Sequence, residues 1–495
     1  PPFLTKRLWQ DSVYVRDQWQ VNRKLTVNYG VRWEYYPVPT EKDNGVFFYD
    51  FAANKVLACG VGPNPIDCDI HVSKKLFAPS VGIAWRPFEK FVVRMGGAIS
   101  PSQYNMYRSS LIYPDLALAS ASGPNSYTAA GSLTTGAPIV PIPNFINPEG
   151  AITPPPGTGN LYTDPQNFVR GYIESWNVTI QREFLGGITG QVGYVGTHAV
   201  HMDAPINENY GRALGAGSAG QLLYPVGIVG TVSVHEPAVY AHYNALQASA
   251  QKRMSNGLAF QASYTWSHQI GLCCGGENVA PSILIPQYQN LAIATMPMDV
   301  THNFHLAGTY EVPFGKDKRY LQHGVLSAIA GGWSVNAIFA HISGLPFSVS
   351  DSNASLNAPG NTQRADLVKP NVDKVGNGVG GQPYFDPLAF APVRTPRFGT
   401  VGFNTLRGPG NNNLDLGLFR NFAITERVRL QIRAESINIS NTPHFSNPGA
   451  NVSNMSLNND GTVKSLGGFS QISSTRALGR LIDQRYFRFG LRFMF

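Results

Sequence analysis

Apolar and polar residues alternate strictly over runs of about a dozen residues, and few folds accept such a pattern. In "LTVNYGVRWEYY", Leu25, Val27, Tyr29, Val31, Trp33 and Tyr35 alternate with Thr26, Asn28, Gly30, Arg32 and Glu34. Successive side chains of a β-strand point to opposite faces, so this is a two-faced strand about twice as long as the usual five or six residues. The pattern recurs in "LAFQASYTWSH", where Leu258, Phe260, Ala262, Tyr264 and Trp266 share one face, and in "RVRLQIRAES", where Val428, Leu430, Ile432 and Ala434 oppose Arg427, Arg429, Gln431, Arg433 and Glu435. "FVVRMGGAIS", "SWNVTIQREF", "WSVNAIFAHI" and "LDLGLFRNF" repeat it with less contrast.

These runs come in pairs. "VNRK" at 21–24, "PFEK" at 87–90, "LGGI" at 185–188, "MSNG" at 254–257 and "AITE" at 423–426 join partners by short turns, and one link, before "GWSVNAIF", is longer. Segments rich in Gly, Pro, Asn and Ser separate the pairs, as at 101–170, 200–240 and 344–413. Short turns on one side and long loops on the other are the asymmetry of an antiparallel transmembrane β-barrel. Trp19, Trp33, Tyr35 and Trp266 lie near strand ends, where an aromatic belt sits. A soluble β-sandwich also alternates, but with shorter strands and more even connections.

The spacing predicts about 13 strands, near 12–21, 25–36, 77–86, 91–100, 171–184, 188–198, 241–254, 258–268, 301–312, 332–343, 414–422, 427–439 and 481–495. With the short turns on the periplasmic side, the odd-numbered strands descend and the C-terminus lies at the periplasm. Bacterial single-chain barrels have even strand numbers, so further strands are expected upstream. The first residue is not Met and no leader opens the chain, which reads as the C-terminal portion of a longer protein.

Charged residues are 14% of the chain, against roughly 25% in a typical soluble protein, which agrees with strands that face lipid. The excess of +8 is spread without basic runs, so nucleic acid is not an expected partner. No apolar run reaches membrane-helix length; "VLSAIAGGWSVNAIFA" is broken by Gly, Ser and Asn. Cys59 and Cys68 bound "CGVGPNPIDC", which a disulfide closes in an oxidising compartment, while the sequence leaves open whether it forms. Cys273 and Cys274 are adjacent, a spacing that rarely gives a relaxed bridge. The pair His302/His305 would face opposite sides of a strand, a poor arrangement for one metal, and His198/His201 runs into a loop. "GNGVGG" at 376–381 lies in a loop without the strand and helix of a dinucleotide site. No cofactor or metal motif and no catalytic set of nucleophile, base and acid is present, so the chain is not expected to be an enzyme.

The ending "RYFRFGLRFMF" sets Phe487, Phe489, Leu491, Phe493 and Phe495 against Tyr486, Arg488, Gly490, Arg492 and Met494. It resembles the outer-membrane assembly signal, with Gly490, Phe493 and Phe495 at the marked positions, which implies the barrel assembly machinery as a partner. More broadly, "YVRDQWQVNRKLTVNYGVRWEYY", "LFAPSVGIAWRP", "SWNVTIQREF", "YNALQASAQKRMSNGLAFQASYTWSH" and the stretch from "LRGPGNNNLDLG" to "SNTPHF" resemble TonB-dependent outer-membrane transporters. The group most resembled is the Oar-like one, whose members carry an N-terminal carboxypeptidase-regulatory-like domain. The resemblance runs along essentially the whole of residues 1–495. It implies a multi-pass barrel of 22 strands, of which the first here is the tenth, in a Gram-negative outer membrane. It also implies a plug and a TonB box, neither of them within this sequence, and import of a scarce solute powered by the TonB complex.

Arg427, Arg429, Arg433, Arg488 and Arg492 fall on the inward faces of two neighbouring strands, where they would contact plug carboxylates or anionic solutes. A plainer reading pairs them with Glu435 and Asp415 as polar lining. The expected function is solute binding and gated import, and the solute (small molecule, glycan or peptide) is not legible. A passive porin or structural outer-membrane protein embedded in the same lipids is the alternative, followed by a secreted β-rich adhesin.

Overall fold

The computed structural model describes residues 6–42, 46–102, 132, 134, 147–156, 158–272, 279–316, 318–425, 428–476 and 483–495. The long alternations become thirteen strands in one antiparallel sheet whose spatial order is the chain order. They are β1 (Asp11–Asn22), β2 (Leu25–Tyr35), β3 (Leu76–Trp85), β4 (Phe91–Pro101), β5 (Tyr172–Phe184), β6 (Ile188–Asn207) and β7 (Val232–Ser255). Then come β8 (Leu258–Leu272), β9 (His302–Glu311), β10 (Trp333–Ile342), β11 (Asn411–Ala423), β12 (Arg429–Ile437) and β13 (Tyr486–Met494). The expected segments match these strands one for one. The main differences are that β6 runs on to Asn207 and β7 begins at Val232, a hairpin extension where the sequence suggests loop. In addition, β8 runs on to Leu272, β11 begins at Asn411, and β13 begins at Tyr486 and not at 481.

Register carries the alternation across the sheet. Val31 of β2 stands opposite Val15 of β1 and Pro79 of β3. Val192 of β6 stands opposite Ile180 and Ala248. Leu418 of β11 stands opposite Val335 and Ala434. Directly opposed residues share a face, so every strand adds its apolar set to one surface. The other surface is polar, and two open grooves of about 700 and 470 Å3 lie over it, lined by Arg16, Asn28 and Ser80 in one and by Gln251, Gln261 and Asn336 in the other. In a barrel set in lipid the polar face is the inner one.

The connections alternate as expected. Residues 23–24, 86–90, 185–187 and 256–257 close tight turns, the Ile424 and Thr425 amides donate to Val428 O between β11 and β12, and the link after β9 holds α1 (Gly324–Ala330). The link between β7 and β8 is the dipeptide Asn256–Gly257, both at positive φ (51° and 77°), the geometry whose twist suits a two-residue hairpin. No helix among the described residues is long and apolar enough to cross a membrane.

The long links at the other end fold into a crown. Its cores, together with the crown ends of the strands, hold the buried apolar side chains. One joins Phe347, Phe385, Phe390, Val452 and Phe469 from two different links. Another joins Tyr49, Val56, Leu161 and Ile228 from three. Buried loop backbone needs partners that a ladder does not supply, and side-chain amides provide them. Asn209, fully buried, donates to the carbonyls of Ile228 and Gly230 and accepts from the Leu223 amide. Asn361 accepts from the Leu284 amide across another pair of links.

Candidate functional site: the inner face and the crown

Strands β12 and β13 bring four of the five expected arginines onto one inner surface. Arg429 stands opposite Met494, Gln431 opposite Arg492, Arg433 opposite Gly490 and Glu435 opposite Arg488. Arg427 lies outside the described residues. Arg488 donates through Nε to Glu435 at 2.6 Å, with Nη2 at 2.5 Å from the same carboxylate. Arg433 donates to Gln431 Oε1 at 2.5 Å and holds its guanidinium 5.3 Å from the Phe419 ring. Asp415 accepts from Asn413 Nδ2 at 2.9 Å and from the Asn438 amide at 2.8 Å. The geometry thus engages Arg488 through the pair with Glu435 that the sequence suggests, and Arg433 through Gln431 and Phe419.

On the outer side of β13, Phe487, Phe489, Leu491 and Phe493 stand opposite Ser436, Ala434, Ile432 and Leu430. Phe495 lies just past the strand and is 99% exposed. A Cβ at Gly490 would meet only the Arg433 Cβ, at 4.0 Å, so local packing does not demand glycine there.

The crown supplies a second candidate region, which the sequence reading left as loop. Cys59 and Cys68 form a disulfide, both buried against Tyr36, Ile70 and Phe168; Cys273 and Cys274 lie outside the described residues. Nearby a cavity of about 620 Å3 is lined by Phe48, Tyr49 and Phe51 together with Asp164, Glu208 and Glu236. Burial, helped by Asp50, pushes the Tyr49 phenol up to about 12, so it stays a neutral hydroxyl. Burial also raises the Glu208 carboxyl, opposed by Arg212, whose guanidinium is 3.9 Å away. Rings and carboxylates around a partly enclosed space offer apolar contact and acceptors to a solute. The sequence signal for this wall is "VFFYDF", a run too short and too aromatic to be a solvated loop.

The motifs set aside in the sequence keep simple geometries. His302 faces outward opposite Trp266, whereas His305, opposite Ser263, faces inward. "GNGVGG" is a loop docked on the crown: the Ile472 amide donates to Gly378 O at 2.7 Å, which ties it down more than a free loop would be.

Solved structures similar to this chain include the FrpB iron transporter from Neisseria meningitidis, with a TM-score of 0.45 and 10% identity, covering 99% of this chain and 46% of that one. The ferripyoverdine receptor of the outer membrane of Pseudomonas aeruginosa gives 0.45 and 10%, with 100% and 39% covered. The outer membrane transporter YddB from Escherichia coli gives 0.42 and 8%, with 99% and 55% covered. The chain spans roughly half the length of these proteins. No curated protein sequence matches it. The model of the outer membrane beta barrel domain matches residues 1–483. Thirteen two-faced strands, a polar inner wall and that match lead to one conclusion: the chain belongs to the outer membrane β-barrel domain family.

Proposed function

We infer that these residues are the C-terminal barrel portion of a TonB-dependent receptor of the Oar-like group, which captures a scarce solute at the cell surface and imports it. The carrying observation is the resemblance of hairpin after hairpin to that group, borne on a sheet whose long links fold into a cored crown. In this reading the crown is extracellular, the short turns and the C-terminus are periplasmic, and the sheet is the later part of a 22-stranded barrel. Capture occurs at the crown, where the cavity beside Tyr49 is one available surface. Arg429 and Arg492, together with the paired Arg433 and Arg488, line the inner wall that a plug would touch. Gly490, Phe493 and Phe495 act as the address read by the barrel assembly machinery, and energy arrives through TonB bound to a box ahead of the plug. The action is binding and transport, not catalysis.

The test is the intact mass of the native protein from purified outer membranes, with peptide mapping of its N-terminal region. A much heavier chain carrying a plug and a TonB box is the expected result. A native chain beginning at Pro1 would overturn the reading.

A further inference from the structure

The outward face carries a feature that solute capture does not use. Five of the eleven histidines lie on it, on five consecutive strands: His198 on β6, His242 on β7, His268 on β8, His302 on β9 and His341 on β10. Register fixes their arrangement. His198 stands opposite His242, His268 opposite Asn244, His302 opposite Trp266 and His341 opposite Phe304. From β7 onward, each histidine therefore sits one outward position closer to the short turns than its neighbour's direct partner. The turns step in the same sense: Ile188 stands opposite Lys252, yet β7 continues to Ser255 before turning. Tilted strands produce this stagger, so the five imidazoles form an arc at nearly one level, at the crown end of the sheet. One outward position below it come Trp176, Trp266, Phe304 and Phe339, an aromatic row of the kind that marks a membrane boundary. The arc thus stands at headgroup depth.

The ring nitrogens are arranged alike. Nδ1 of His198 lies 3.1 Å from Glu174, that of His268 3.6 Å from Asp299, that of His302 2.8 Å from the Tyr264 hydroxyl and that of His341 2.6 Å from Asn412 Oδ1. His242 stacks on His198, with ring centroids 4.0 Å apart. A carboxylate at Nδ1, as at His198 and His268, holds the proton there and leaves Nε2 of the neutral ring as an acceptor, whereas the Tyr264 hydroxyl beside His302 can donate or accept. Protonation turns Nε2 into a donor and adds a positive charge. The charged groups that face the arc are Glu174, Asp299 and Arg407, the last already bonded to Asp299. Fully protonated, five imidazoliums and one guanidinium face two carboxylates.

We propose that this arc is a proton-dependent binding surface for the phosphate groups of outer-leaflet glycolipid. It rests on the crown being extracellular, as in the function proposed above, but not on transport. Lowering the pH from 7.5 to 5.5 favours protonation of the imidazoles and so adds positive charge to the arc. Binding of phosphorylated glycolipid should rise with it.

The experiment measures lipid A bound to the detergent-solubilised full-length protein at pH 7.5 and 5.5. Binding is expected to be several-fold greater at pH 5.5, and the response should vanish when all five histidines become Gln. His268→Lys, at a position whose side chain is 55% exposed, places a fixed charge there with little change to packing. It is expected to raise binding at pH 7.5 and flatten the response, whether or not the five-fold variant folds. The inward His305→Gln should leave the response intact. Equal binding of dephosphorylated lipid A would overturn the proposal, as would an unaltered response in His268→Lys. Displacement by millimolar inorganic phosphate as effective as displacement by lipid would assign the arc to free phosphate and overturn the glycolipid assignment. Protease cleavage within the crown on intact cells reports orientation separately, so a failure of the outward-crown reading is distinguishable from a failure of the arc.

Discussion

Asp366 sits on a short crown strand with both carboxylate oxygens on the Arg397 guanidinium, at 2.8 and 2.6 Å, and a further bond from the Thr400 amide at 3.2 Å. The hydrogen bonds from Arg397 hold its carboxyl below the usual range, against the opposing effect of burial. A carboxyl depressed in the folded state stabilises it above the unfolded value, near 3.9, and that contribution is lost as pH falls through the lower, folded value. Asp366→Asn is therefore expected to speed amide exchange in the 364–400 segment at pH 7. The difference from the unaltered protein should shrink as the pH falls below the unfolded value and disappear once it is below the folded one. A difference that persists undiminished at low pH would show that the side chain acts by shape alone. The same crown explains the many Asn and Gln residues of the long links: Asn209, Asn361 and Gln363 are buried and spend their amides on loop backbone.

At the scale of a strand, adjacent residues meet different solvents. Ala248 and Ser249 are neighbours near the middle of β7's paired stretch, yet Ala248 stands between Val192 and Tyr264 on the outer face, and Ser249 between Gln191 and Ser263 on the inner one. Ala248→Arg is expected to cost about 2–4 kcal/mol, because it puts a charge at mid-bilayer depth. Ser249→Arg should cost under about 1 kcal/mol, since a wet lumen accepts it. Urea titration of the full-length protein in vesicles reads both, and equal costs would show that the two faces do not differ as the register says. This two-faced character is also why the sequence predicts all thirteen strands: period two survives whatever lies in the loops. The extension of β6 and β7 above the histidines escapes the pattern. There Val232, Ser233, Val234 and His235 are all buried, so alternation no longer reports strand. The crown is illegible for a related reason. Its strands of two to four residues hold together through cores such as that of Phe385, Phe390 and Phe469, built from links far apart in the chain. Of the candidate site, the inward arginines follow from alternation, while their engagement by Phe419 and Gln431 depends on which strands become neighbours.

For the whole molecule, the decisive fact is that the sheet is open. β1 and β13 are its edges, and among the described residues each pairs with one neighbour only. In water an unpaired edge is solvated, but in hydrocarbon each orphaned backbone group costs several kcal/mol. Every second residue along an edge points its amide and carbonyl outward, so about six residues of β1 and four or five of β13 present such groups. That penalty, on the order of tens of kcal/mol for the two edges together, exceeds the whole stability of an ordinary domain. The apolar outer face cannot offset it, because that face is equally content in lipid with the edges paired. A membrane-inserted state must therefore cover both edges, and the exposed row Phe487, Phe489, Leu491 and Phe493 gives β13 its lipid side. The prediction is made for residues 1–495 refolded alone into lipid vesicles. They are expected not to give a monomeric species that migrates faster on a denaturing gel when unheated than when boiled; they should aggregate or associate through their edges. On the reading proposed above, adding strands upstream in the same chain should restore the monomer. A protease-resistant monomer from residues 1–495 alone would mean that β1 and β13 can meet, and the 22-stranded architecture would have to give way to a smaller closed barrel.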